Sequence, residues 1–119
     1  MPASIAIDER PEAWILAAKG ELDYSECAGF RLQIDRILRT MPPAVIVDFS
    51  QIDYLDSSGL GLLLSLSREY GTAGGRLMLI TNDTVDGILE ITRLEGIFTT
   101  APNVDAALAT ISGNGVEGK

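Results

Sequence analysis

Val45-Ile46-Val47-Asp48-Phe49-Ser50, then Gln51-Ile52-Asp53-Tyr54-Leu55, then Asp56-Ser57-Ser58-Gly59-Leu60-Gly61 decide the fold. Ala44 to Phe49 is a short apolar run rich in β-branched residues, with Pro42-Pro43 before it and polar residues after it. That pattern predicts a central strand covered on both faces. Gln51 to Leu55 reads as a short connection. At Asp56 the pattern changes: three capping residues precede an apolar run at helical spacing, so a helix is expected from about Ser57 to Tyr70. Its buried stripe would be Leu63, Leu66 and Tyr70, flanked by Leu60 and Leu62. Two hydroxyls and a carboxylate therefore stand where free backbone N–H groups and the positive end of a helix dipole meet. Such a place suits a plain cap. It also suits a phosphate.

Upstream, Ser4 to Asp8 alternates polar and apolar residues, and Ala13 to Lys19 carries Trp14, Ile15 and Leu16. They read as a hairpin of two strands turning at Pro11, which Gly20-Glu21-Leu22-Asp23 leaves as a loop. Ser25 is a plausible N-cap for a first helix. Cys27, Phe30, Ile34, Ile37, Leu38 and Met41 follow at helical spacing, and Pro42-Pro43 ends the helix. Gly59 and Gly61 are poor helix formers, each costing up to about 1 kcal/mol against alanine. Two glycines so placed point to close approach by another backbone, within the domain or from a partner.

Downstream, Gly71 to Gly75 is a loop and Arg76 to Thr81 a strand. Asp83 or Thr84 caps a third helix, with Val85, Ile88, Leu89 and Thr92 on one face. Ile97 to Thr100 is a short last strand. Pro102 opens a final helix carrying Val104, Leu108 and Ile111. After the hairpin, strands alternate with helices. The fold class is α/β with right-handed crossovers and at least partly parallel pairing. Residues 1–112 are expected to form one domain, and 113–119, with three glycines, a disordered tail.

The chain has 119 residues, 46% of them hydrophobic, which favours one folded domain with a proper core. Its net charge of −8 argues against nucleic acid and against an anionic membrane surface as partners. No signal peptide is visible, and no stretch approaches the roughly 18 apolar residues that span a bilayer. The single Cys27 permits no internal disulfide, so a cytoplasmic location is expected, with Cys27 a small core residue. There is no histidine, which removes a Ser-His-Asp triad and most zinc sites. There is no Gly-x-Ser-x-Gly elbow and no phosphate-binding Gly-x-x-x-x-Gly-Lys loop. Asp48 near the end of the central strand fits a phospho-accepting receiver poorly, because the late strand ends Leu79-Ile80-Thr81-Asn82 without a lysine. No catalytic residue, cofactor or metal is expected.

Val47-Asp48-Phe49-Ser50 followed by Leu55-Asp56-Ser57-Ser58-Gly59-Leu60-Gly61 resembles the anti-sigma factor antagonists, small bacterial members of the STAS domain family. Gly20-Glu21-Leu22-Asp23 matches the family's Gly-Glu-Leu-Asp, and Gly74-Gly75 precedes a strand as the family's glycines do. The resemblance runs from about residue 4 to residue 112. It implies a small mixed sheet with about four helices packed largely on one side. It also implies a phosphorylation switch at Ser58. Unphosphorylated, such a protein binds an anti-sigma factor, usually an ATP-dependent serine kinase, and frees the sigma factor. Phosphorylation ends the complex, and a phosphatase resets it. The implied partner-binding residues are Asp23, Asp56, Ser57, Ser58, Gly59 and Leu60. Only the family pattern favours Ser58 over Ser57, and Asp23 fits a cap or turn role equally. A second reading is a STAS scaffold module in a stress-sensing or transporter-associated assembly, which controls no sigma factor directly.

Overall fold

The computed structural model describes residues 3–113; most of the tail predicted over 113–119 lies outside them. The first two strands, β1 (Ser4–Glu9) and β2 (Trp14–Leu22), pair antiparallel as the hairpin pattern predicts. A 3-10 turn over Tyr24–Glu26 leads into α1 (Cys27–Thr40). The central strand β3 runs Ala44–Leu55, and α2 covers Ser57–Thr72. Then come β4 (Arg76–Ile80), α3 (Asp83–Ile91), a 3-10 turn at Glu95–Ile97, β5 (Thr99–Thr100) and α4 (Val104–Ser112). The sheet order is β1-β2-β3-β4-β5, and every pair after the hairpin is parallel.

Alternation on β3 sets the layers. Val45, Val47 and Phe49 point into a core built with Phe30, Ile34 and Ile37 of α1, Leu63, Leu66 and Tyr70 of α2, and Val85 and Leu89 of α3. Ala44 and Ile46 point the other way, to a smaller cluster with Ile15, Met78, Ile80 and Ala107, which Val104, Leu108 and Ile111 of α4 cover. Three helices thus lie on one face and one on the other. The Tyr70 hydroxyl donates to the Pro42 carbonyl at the start of β3, so the end of α2 is tied to the sheet. Burial pushes the Tyr70 phenol above its ordinary value.

Two expectations fail together. Gln51 to Leu55 is strand, and so is Gly20 to Leu22: they pair with each other, Gly20 with Ile52 and Leu22 with Leu55. The pairing escapes a period-2 reading because the register shifts twice, between Ala17 and Lys19 and between Gly20 and Glu21. Gly20 takes φ 87° at that point, a left-handed conformation that favours glycine. After the shifts Ile52 and Leu55 both enter the main core. Beyond Asp48, β4 no longer reaches β3. Asn82 fills the gap: its side-chain amide donates to the carbonyls of Ser50 (3.1 Å) and Ile52 (2.8 Å), and its oxygen accepts from the Val85 N–H. Asn82, not Asp83 or Thr84, therefore caps α3. The last helix, expected to open at Pro102, begins at Val104 with Asn103 as its cap.

Candidate functional site

Because β2 and β3 are parallel and in register at Leu22 and Leu55, the chain leaves both at the same edge of the sheet. Each then turns into a helix. Asp56 joins the two turns. Its Oδ1 accepts from the backbone N–H of Ser58 (2.9 Å) and Gly59 (3.2 Å), which caps α2. Its Oδ2 accepts from the N–H of Tyr24 in the neighbouring turn (3.1 Å). The Asp56 N–H points back to the Leu22 carbonyl at 3.4 Å. One carboxylate thus satisfies three backbone donors and fixes the serine-bearing helix start against the loop after β2.

Asp23 caps that loop. Its Oδ1 accepts from the Ser25 hydroxyl (2.6 Å) and the Ser25 N–H (3.0 Å). Ser25, expected to cap the first helix, is instead the donor: the turn is capped two residues earlier, at Asp23, and α1 starts at Cys27 with no side-chain cap of its own. The Ser25 hydroxyl bond holds the exposed Asp23 carboxyl below its usual range. Cys27 is a groove residue at the rim of the core, half-buried rather than central. Its thiol donates to the Asp23 carbonyl (3.3 Å), and burial, then the charges of Asp56 and Asp23, push its pKa up. A thiol held protonated is a poor nucleophile.

The predicted site residues divide by environment. Ser57 is exposed and Ser58 partly exposed; neither hydroxyl makes a hydrogen bond among the described residues. Gly59 is buried, and Leu60 is 7% exposed with its side chain in the main core. The close approach expected at the glycines is internal at Gly59: a Cβ there would stand 2.9 Å from the Leu22 carbonyl oxygen and 2.7 Å from Leu55 Cδ1. At Gly61 a Cβ would meet nothing within 4 Å. Between the turn, α1 and α2 lies an open groove of about 730 Å³, with Ser57, Ser58 and Gly61 on one wall and Cys27 and Arg31 on the other. Tyr24 stands at its mouth, 79% exposed. Tyr24 and Arg31 are absent from the residues singled out in the sequence. An exposed aromatic beside Asp23 is visible only once the turn is folded.

The double role of Asp56 makes a separable prediction. Asp56→Ala loses the cap and the link to Tyr24, and is expected to lose about 1–2 kcal/mol of stability in urea unfolding. Asp56→Asn keeps an oxygen for the helix start but turns an N–H₂ donor toward the Tyr24 N–H. It is expected to recover most of the stability while the Tyr24 amide still exchanges faster than in the wild type. Equal Tyr24 exchange in Asp56→Asn and wild type would refute the bridge.

Among the described residues there is no group of three or more metal-ligating side chains, and no helix long and apolar enough to cross a membrane. Comparison with known proteins gives a consistent set. The STAS domain family pattern matches residues 4–107. An anti-sigma F factor antagonist of Paenibacillus polymyxa is 26% identical over 107 residues, covering 88% of this chain and 89% of that protein. An anti-sigma factor antagonist of Mycobacterium paratuberculosis has the same fold, with a TM-score of 0.78 at 21% identity, covering 89% of this chain and 91% of that one. The Bacillus cell fate determinant SpoIIAA, solved in a phosphorylated form, aligns with a TM-score of 0.70 at 23% identity, covering 87% of this chain and 96% of its own. With a sequence match over most of its length, a five-stranded mixed sheet, and a serine-bearing helix start at the edge where β2 and β3 end, the chain belongs to the STAS domain family.

Proposed function

We propose that the protein is an anti-sigma factor antagonist: a non-catalytic switch that binds an anti-sigma factor of the serine-kinase type and so frees a sigma factor. Phosphorylation of Ser58 ends the complex, and a phosphatase restores it. The observation that carries this reading is the edge built around Asp56. There two hydroxyls without internal partners stand beside an open groove and an exposed aromatic. Hydroxyls free of internal bonds can be modified without breaking the fold. The similarity to named antagonists over nearly nine-tenths of the chain supports the same role.

A phosphoserine carries about −1.5 to −2 charges at neutral pH. Within the domain the start of α2 tolerates it. A partner packed on the same edge has to strip its hydration, and a partner carboxylate nearby repels it. A penalty of about 4 kcal/mol weakens binding about a thousandfold. No large conformational change is needed, since the event is local and the readout is binding.

The test is intact mass of the protein recovered from its own cells, with Ser58→Ala and Ser57→Ala beside it. A species heavier by one phosphate, lost only in Ser58→Ala, is the expected result. Loss only in Ser57→Ala would move the acceptor by one residue. Absence of a phosphorylated form in every growth condition would favour the scaffold reading.

A further inference from the structure

We propose that Arg31 is the counter-ion for a phosphate on Ser58, reached across the groove between α1 and α2. The proposal rests on the reading of Ser58 as a phosphoacceptor and adds what receives the phosphate. Arg31 lies on α1, one turn beyond Cys27, in the wall across from Ser57 and Ser58, and among the described residues it is the one cation lining that groove. It is exposed and has no carboxylate partner among the described residues. Arg36 makes a contrast. It pairs with Glu9, bonds Gln33 and lies 5.3 Å over the Trp14 ring.

The carboxylates in the two turns beside the groove are held in place by those turns. Both oxygens of Asp56 accept backbone N–H groups, and Asp23 accepts twice from Ser25. Arg31 makes no ion pair among the described residues, not even with Asp35 one turn further along α1, and it lines the same groove as the serine that would acquire an anion. A guanidinium matches phosphate oxygens in a two-pronged geometry that a lysine does not reproduce. Once paired, Arg31 is also withdrawn from whatever acidic group a partner would offer to the groove. Phosphorylation then acts twice: it adds a charge and removes the cation available to the partner.

The experiment installs phosphoserine at position 58 during synthesis, so it needs no kinase. The phosphorus NMR shift is followed against pH in the otherwise wild-type chain and in Arg31→Gln, Arg31→Lys and Arg39→Gln backgrounds. The second ionisation of a phosphoserine lies near pH 6. Tyr24 and Cys27 line the groove, Asp23 and Asp56 sit in the turns beside it, Asp35 lies one turn beyond Arg31, and Glu69 accepts from Ser65 in the α2 wall; all are identical in the four proteins, so their effects cancel in the comparison. An opposite charge nearby favours the dianion. The midpoint is expected about 0.5 pH unit or more higher in Arg31→Gln than in wild type, and intermediate in Arg31→Lys. Arg39→Gln controls for net charge: eight residues further along α1, it is about 12 Å away, beyond the screening length of physiological salt. It is expected to match wild type. Equal midpoints in Arg31→Gln and wild type, or an equal rise in Arg39→Gln, would overturn the proposal. Failure to find a kinase for Ser58 in cells would sink the antagonist reading and leave this result standing on its own.

Discussion

Ser58→Asp is expected to remain folded and to bind the anti-sigma factor at least about 100-fold more weakly than the wild type. Ser58 is the second residue of α2, and what it gives the fold is its backbone N–H, which donates to Asp56 Oδ1. An aspartate keeps that N–H. Its charge sits in the first turn, where the helix dipole favours an anion by a few tenths of a kcal/mol, and the nearby Asp56 carboxylate opposes it by a similar amount. The net change in stability is expected within about 0.5 kcal/mol, or a few degrees of melting temperature. In the proposed complex the charge is a cost, whether Arg31 or water holds it. The partner must desolvate a carboxylate at a place that fits an uncharged hydroxyl, and an unpaired or like-facing charge at an interface costs several kcal/mol. Ser58→Ala is the complementary case: binding retained, with no release on addition of ATP. Calorimetric titration of both variants against the purified partner decides the matter. Wild-type affinity in Ser58→Asp would mean that charge at this position does not control the complex.

The parts of this edge that the sequence reveals are those set by local chemistry. Asp56 caps a helix because a short polar side chain reaches free N–H groups of the first turn, and the apolar spacing of Leu63, Leu66 and Tyr70 is its own period. The central strand is equally plain, because both of its faces are buried over Ala44 to Phe49. What stays hidden depends on pairing. Gln51 to Leu55 and Gly20 to Leu22 look like loops singly and become strand only against each other, through two register shifts that break the alternation. Asn82 gives no sign of bonding the free edge of β3 some thirty residues earlier. Asp56 reads as a cap, and that is half of its role; its second oxygen serves Tyr24 across the sheet edge. Ser25 shows the reverse error: a good capping residue by type, it is the donor to a better-placed Asp23.

Gly59 and Gly61 stand two residues apart in one helix, and alanine is expected to have opposite effects at them. Removing a glycine from a helix interior is worth up to about 1 kcal/mol in favour of the variant. At Gly61 that gain is unopposed, since a Cβ meets nothing within 4 Å. Gly61→Ala is expected to stabilise the domain by about 0.5–1 kcal/mol. At Gly59 the new carbon would lie 2.9 Å from the Leu22 carbonyl oxygen, 2.7 Å from Leu55 Cδ1 and 3.1 Å from Leu22 Cγ. The Leu55 methyl can swing aside. The Leu22 oxygen belongs to the end of β2 and faces the Asp56 N–H, so moving it separates the two strand ends that form the site. Overpacking of this kind costs about 1–3 kcal/mol. Gly59→Ala is therefore expected to destabilise despite its better helix propensity, and a larger residue such as valine to prevent folding at physiological temperature. Urea unfolding of the two alanine variants gives the signs directly. Binding then separates the two reasons for a glycine. Gly59 is fixed by the domain's own backbone, whereas Gly61 lines the open groove beside Ser58. A Gly61→Ala protein that is more stable yet binds the partner more weakly would show that the partner's backbone approaches there. Undiminished binding in that variant would place the contact on the turn side of the groove, around Tyr24.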